Sequence, residues 1–221
     1  MIILSALFIF VLTAVISFGG SVQLGPVNIT VIRAAIAKNY ASAIFIGLGG
    51  ALPELIYAGI AIKGAEFLER FPMVLNGLFL VCIPLFILIG LYFVFFQSKK
   101  DQTISDEEVE AQKKQAPRSI FKSILLGFSI GMINPMLLPF WMVVLSTYHS
   151  YELMLLPTGL HHLAFIIGTG FGAFLLQYLL VVLLRKYSAS FEQKIKKYAN
   201  PVTGWMFVAL GIIQLINYLN S

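Results

Sequence analysis

The chain has 221 residues, of which 59% are hydrophobic and only 11% charged, with a mean hydropathy of +0.89. Soluble domains carry roughly 25% charged residues, so this composition belongs in lipid. The net charge of +5 does not point to nucleic acid, because Lys and Arg are confined to polar stretches between apolar runs. Cys82 is the single cysteine, which excludes an intramolecular disulfide and a cysteine-based metal cluster.

The first apolar run, MIILSALFIFVLTAVISF, has no basic residue before it and is long for a signal-peptide core, so it reads as a retained helix. A helix needs about 20 apolar residues to cross a hydrocarbon core of ~30 Å. On that measure six spans are expected, at roughly residues 2–24, 41–62, 72–96, 119–147, 159–184 and 201–219. The predicted fold is an all-α integral membrane protein.

Alternate connections share one side of the membrane, and thirteen of the fifteen Lys and Arg residues fall on the same side. They are Arg33 and Lys38; then the basic residues from Lys99 to Lys122; then those from Arg185 to Lys197. Lys63 and Arg70 alone lie opposite. The positive-inside rule therefore predicts that both termini lie outside, on the periplasmic side of a bacterial-type membrane. Within the long connection 97–118, Ser105 and Glu108 have capping-box spacing and Glu110 precedes Lys114 by one turn, as in a short solvated helix.

The two halves show a weak repeat. Gly25 and Pro26 interrupt an apolar run in the first half, and Asn134 and Pro135 interrupt one in the second. Gly47, Gly49 and Tyr57 have the same spacing as Gly168, Gly170 and Tyr178. Three helices per half would place the halves in opposite orientations. The expected organisation is thus residues 1–96 as one three-helix repeat, 97–118 as a cytoplasmic loop and 119–221 as the second repeat, with the first and fourth helices broken.

Proline removes a backbone donor and frees the carbonyl four residues back, so breaks within lipid must face protein or water. Two corresponding breaks predict a cavity. Kinking of packed helices is the plainer account of each proline taken singly.

Glu54 stands near the middle of the second span, in GGALPELIYAG. Insertion scales put a central acidic residue at roughly 2.5–3.5 kcal/mol, and an intramembrane carboxyl is by default functional, here as a reversible proton site. The alternative is a paired carboxyl that fixes packing against Arg33 or Gln23. Gln23, Asn28, Asn134 and Gln177 surround the breaks and can each donate and accept. With the half-helix N-termini after Pro26 and Pro135, they suit a zwitterionic small molecule. Hydrogen bonding between helices is the competing role for each.

Gly47, Gly49, Gly50, Gly168, Gly170 and Gly172 read as sites of close helix approach, and Trp141, Tyr148 and Tyr151 as an aromatic belt at the outer interface. His149, His161, His162 and Glu152 share an outer region, but adjacent histidines on a helix point apart, so no metal site is expected. No HExxH, GxSxG or P-loop pattern occurs, so neither an enzyme nor a cofactor is expected.

The stretch GPVNITVIRAAIAKNYASAIFIGLGGALPELIYAGIAI resembles the first block of the LysE/RhtB-type amino-acid exporter family, and INPMLLPFW resembles its second. Gly25, Pro26, Asn28, Arg33, Gly47, Gly49, Glu54, Asn134 and Pro135 fill the family's pattern. The family more often has Asp at the position of Glu54, and often Lys where Met136 follows the Asn-Pro pair.

The resemblance implies a transporter that exports amino acids or related small metabolites across the inner membrane by proton antiport, with a homodimer as a compatible state. Outward direction comes from the resemblance alone. Substrate would be held at Gln23, Gly25, Pro26, Asn28, Asn134, Pro135 and Gln177, with Glu54 coupling the proton. Arg33 would act at the cytoplasmic mouth or simply anchor the interface. A divalent metal-ion exporter using the histidines and a non-transporting membrane scaffold or assembly factor are the alternatives.

Overall fold

A computed structural model describes residues 2–22, 25–68, 83–84, 87–88, 90–92, 94–95, 119–134, 137–149 and 157–219. Side chains are described for all of these except 65–68, 149, 188–200 and scattered positions beyond 201. Gln23, Pro135, Tyr151, Glu152 and the whole connection 97–118 lie outside the described residues, as does most of the expected third span.

Six continuous helices carry most of the described part: α1 (Ile2–Gly20), α2 (Pro26–Ile36), α3 (Tyr40–Leu68), α4 (Ile120–Met132), α5 (Leu137–His149) and α6 (Gly159–Leu219), with further helical backbone at 83–84, 87–88 and 90–92. The described residues contain no strand. Within these helices, Ile2–Gly20, Tyr40–Gly64 and Gly159–Tyr187 are each long and apolar enough to cross a bilayer, and α4 with α5 forms a further candidate span bent by 70°. The chain is a multi-pass membrane protein.

Local chemistry sets the breaks. Gly25 precedes α2 in an extended conformation (φ −75°, ψ 170°), and Pro26 opens the helix where its missing N–H removes no hydrogen bond. The far end of α2 closes in a Schellman turn: Lys38 N–H donates to Ala35 O and Asn39 N–H to Ala34 O, with Lys38 at φ 63° in the position glycine usually takes. Ser119 opens α4, its Oγ accepting from Lys122 N–H at 3.4 Å. A short apolar helix therefore follows the first break, and α5 follows the second.

Glycines determine which helices touch. A Cβ at Gly49 would strike the backbone carbonyl of Ile124, and one at Gly127 that of Ile46, so α3 and α4 meet backbone to backbone. A Cβ at Gly172 would likewise strike the Ala14 carbonyl, and one at Gly168 would stand 2.8 Å from that of Phe10, which joins α6 to α1. Gly131 in turn meets Gly50 and Pro53, so along the axis 127 pairs with 46 and 131 with 50–53, as 168 pairs with 10 and 172 with 14; numbers rise together and each pair is parallel.

Around residue 90 the relation is reciprocal. A Cβ on Gly90 would lie 2.6 Å from Gly204 O, and a Cβ on Gly204 would lie 2.6 Å from Gly90 O. The residue one turn later on each partner completes the contact: Val208 Cγ2 faces Gly90 at 2.7 Å and Val94 Cγ2 faces Gly204 at 2.6 Å. Ile83 and Ile87 meet Gly211, so this pair runs antiparallel.

The expectation of separate spans at 159–184 and 201–219 needs restating. Helical backbone continues from Gly159 to Leu219 through the basic stretch, which is rich in helix-forming Lys, Gln, Glu and Ala and holds no glycine before Pro201. Yet Leu210 packs on the core cluster that contains Phe165. A straight helix would separate them by about 67 Å at a rise of ~1.5 Å per residue, so the helical run folds back between them. Two apolar segments result, although no loop of irregular backbone divides them.

The core forms two clusters, one where Val31, Ile46 and Val181 join α2, α3 and α6, the other rich in aromatic rings. Trp141, Tyr148 and Phe165 are fully buried with Ile9, Ala58 and Val144. The Phe165 ring stands nearly perpendicular to both neighbours, its centroid 5.5 Å from that of Trp141 and 5.6 Å from that of Tyr148. Tyr148 also shares a 2.9 Å hydroxyl bond with Thr13 of α1. An aromatic belt at the outer interface was the expectation for Trp141 and Tyr148; both instead face inward, because each has a polar tip that finds a buried partner.

Candidate functional site

Both breaks open on one cavity of about 70 Å³. It is bounded by the end of α1 (Ser17, Gly20, Ser21), the start of α2, the middle of α3, the two ends that meet at the second break, and Ala173 and Gln177 of α6. Of the residues singled out in the sequence, Gly25, Pro26, Asn28, Glu54, Asn134 and Gln177 all line it. Arg33 does not: it sits further along α2, in its last turn.

Glu54 is buried in α3 directly after Pro53, which leaves the Gly49 carbonyl without its helical donor. Its Oε2 accepts a 2.5 Å hydrogen bond from Trp141 Nε1–H of α5. Its partner among the described residues is thus not Arg33 but an indole two turns beyond the second break. Sequence reasoning missed Trp141. The available signal was physical: a buried indole N–H requires an acceptor, and few acceptors exist in these apolar helices.

Lining the same cavity as Glu54, an amide chain ties α6 to the first break. Asn28 Nδ2–H donates to the Ser21 carbonyl at 2.7 Å, and Asn28 Oδ1 accepts from Gln177 Nε2–H. The carbonyl partner fixes the orientation of both amides, since Ser21 O can only accept. Gln177 Oε1 is consequently left buried with no hydrogen-bond partner. The N-terminal end of α2 meets the same cavity with no side-chain cap on Gly25.

At the second break, Tyr57 O–H donates to the Met132 carbonyl at 2.8 Å, satisfying one of the acceptors at the end of α4. Tyr178, its partner in the sequence repeat, is 43% exposed on the outer face of α6. The matched spacing of these tyrosines therefore does not give them matched surroundings.

His161 is buried at the start of α6, its Nε2 2.9 Å from Ser5 Oγ and its Nδ1 2.7 Å from Thr158 Oγ1. Hydroxyls occupy both ring nitrogens. Among the described residues no three His, Cys, Asp or Glu side chains are grouped as metal ligands.

A multi-pass helical protein with two helix breaks around a cavity that holds a buried carboxyl and amides has the build of a membrane transporter. The chain belongs to the LysE type translocator family, whose model matches residues 18–218 and so includes every residue of the cavity except Ser17. Membership makes it a membrane transporter for a small molecule. Comparison with curated proteins and with solved structures returned no match.

Proposed function

We propose that the protein exports amino acids or related small metabolites across the inner membrane in exchange for protons. The observation that carries this reading is the convergence of Glu54, the uncapped start of α2 and both helix breaks on a single cavity. Substrate carboxylate would sit at the N-terminus of α2, where the helix dipole favours an anion. Glu54 would exchange its proton as substrate leaves, and the Trp141 bond would transmit that change to α5. Asn134 would form part of the binding-site wall at the second break.

Three pairings support two inverted repeats, residues 1–96 and 119–221, joined by the connection 97–118. Exchanging the repeats converts the α1/α6 crossing into the α4/α3 crossing, and both are parallel. It maps the Gly90/Gly204 contact onto itself, and that contact is antiparallel, as a two-fold axis in the membrane plane requires. The same alternation agrees with both termini lying outside. Outward direction rests on the family resemblance.

The test is flux of a mixed amino-acid panel into or out of liposomes under an imposed pH gradient, comparing the parent with Glu54→Gln. Gradient-driven flux that disappears in the variant is the expected result. Absence of any amino-acid flux from folded parent protein would refute the reading.

A further inference from the structure

We infer that Gln177 Oε1 and Glu54 form the receiving end for a substrate ammonium group, which makes Gln177 a specificity-determining residue. The inference rests on the transport reading above and adds the recognition chemistry at one end of the cavity. Gln177 is 4% exposed, lines the cavity and keeps an unpartnered carbonyl oxygen while its Nε2 is committed to Asn28. An acceptor buried in that way is stabilised only by a donor brought from outside the protein.

The charge of that donor follows from the rest of the lining. Glu54 is the one ionisable side chain that lines the cavity among the described residues; no Lys, Arg or His joins it. A second anion would therefore meet a carboxyl with no compensating cation, whereas an ammonium presents several N–H donors and a positive charge to two oxygen acceptors. Proton and ammonium become alternative occupants of the same end. Occupancy by one displaces the other, and that competition is the physical requirement for exchange.

Trp141 supplies a binding readout independent of transport. The chain has two tryptophans, so Trp205→Phe leaves Trp141, already bonded to Glu54, as the only indole. In this background the full-length protein in detergent is titrated with an amino acid and with the 2-hydroxy acid of identical side chain, following Trp141 fluorescence. The parent should bind the amino acid about 10- to 100-fold more tightly, the range of a charge-assisted hydrogen bond.

Gln177→Met should bring that ratio close to one. Gln177→Glu, which in its protonated form keeps both a carbonyl acceptor and a donor toward Asn28, should restore it. Equal affinity of the parent for both compounds, or equal weakening of both by Gln177→Met, would overturn the inference. Discrimination in detergent without gradient-driven flux in liposomes would instead refute the transport reading and leave the ammonium site standing.

Discussion

The indole Nε1–H of Trp141 donates to Glu54 Oε2 at 2.5 Å, joining α3 to the helix that follows the second break. A change of charge at Glu54 therefore alters a bond to α5 directly. Glu54→Gln should abolish gradient-driven flux while leaving the protein folded. Trp141→Phe should reduce that flux about 10- to 100-fold, since a hydrogen bond to a charged group contributes roughly 1.5–3 kcal/mol. The double variant should be no worse than Glu54→Gln alone, because both substitutions remove one link. Additive losses in liposome flux would show that the two residues act separately.

Tyr57 and Tyr178 occupy matching positions in the sequence repeat but unlike positions in space. Tyr57→Phe should lower stability by about 1 kcal/mol or more by stripping a donor from the Met132 carbonyl. Tyr178→Phe should leave stability within about 0.5 kcal/mol, as for other exposed substitutions. Thermal unfolding in one detergent compares the two.

The reciprocal contact of Gly90 with Gly204 predicts matched effects. Gly90→Ala and Gly204→Ala should each destabilise by at least about 2 kcal/mol, because the new methyl meets backbone that cannot withdraw. Gly64→Ala is the control, with nothing within 4 Å of the added atom. Clearly unequal losses at 90 and 204, measured by unfolding, would count against a two-fold relation there.

His161 links the start of α6 to Ser5 of α1. His161→Ala should lower the unfolding temperature, consistent with the loss of two hydrogen bonds of about 0.5–1.5 kcal/mol each. A strong chelator added to both sides of the liposomes should leave flux unchanged. Flux that requires a divalent ion and is lost with His161 would favour the metal-exporter alternative.

Much of the candidate site was legible because polarity is conspicuous against so apolar a background. Glu54, Asn28, Asn134 and Gln177 stand out as groups that hydrocarbon cannot solvate, and they do line one cavity. Gly25 and Pro26 were legible for a different reason, since their backbone chemistry allows few conformations. Trp141 was not legible: its place near the expected membrane boundary suits an interfacial belt as well as a buried donor, and only the position of α3 decides between them. The Gly90/Gly204 pairing was overlooked although GLYFV and GWMFV both stand in the sequence, because short apolar strings recur throughout such a chain.

By itself the sequence determined that this chain lives in a bilayer and where its helices break. These are local properties, set by transfer free energy and by the backbone limits of glycine and proline. The tertiary structure alone decided that the two breaks, 109 residues apart when counted from Pro26 to Pro135, open on one cavity, that Glu54 bonds an indole rather than a cation, and that Gln177 keeps an oxygen unpaired. Those facts depend on which helices cross. In lipid the crossings are chosen by close packing at glycines, because apolar side chains gain little by leaving hydrocarbon for one another.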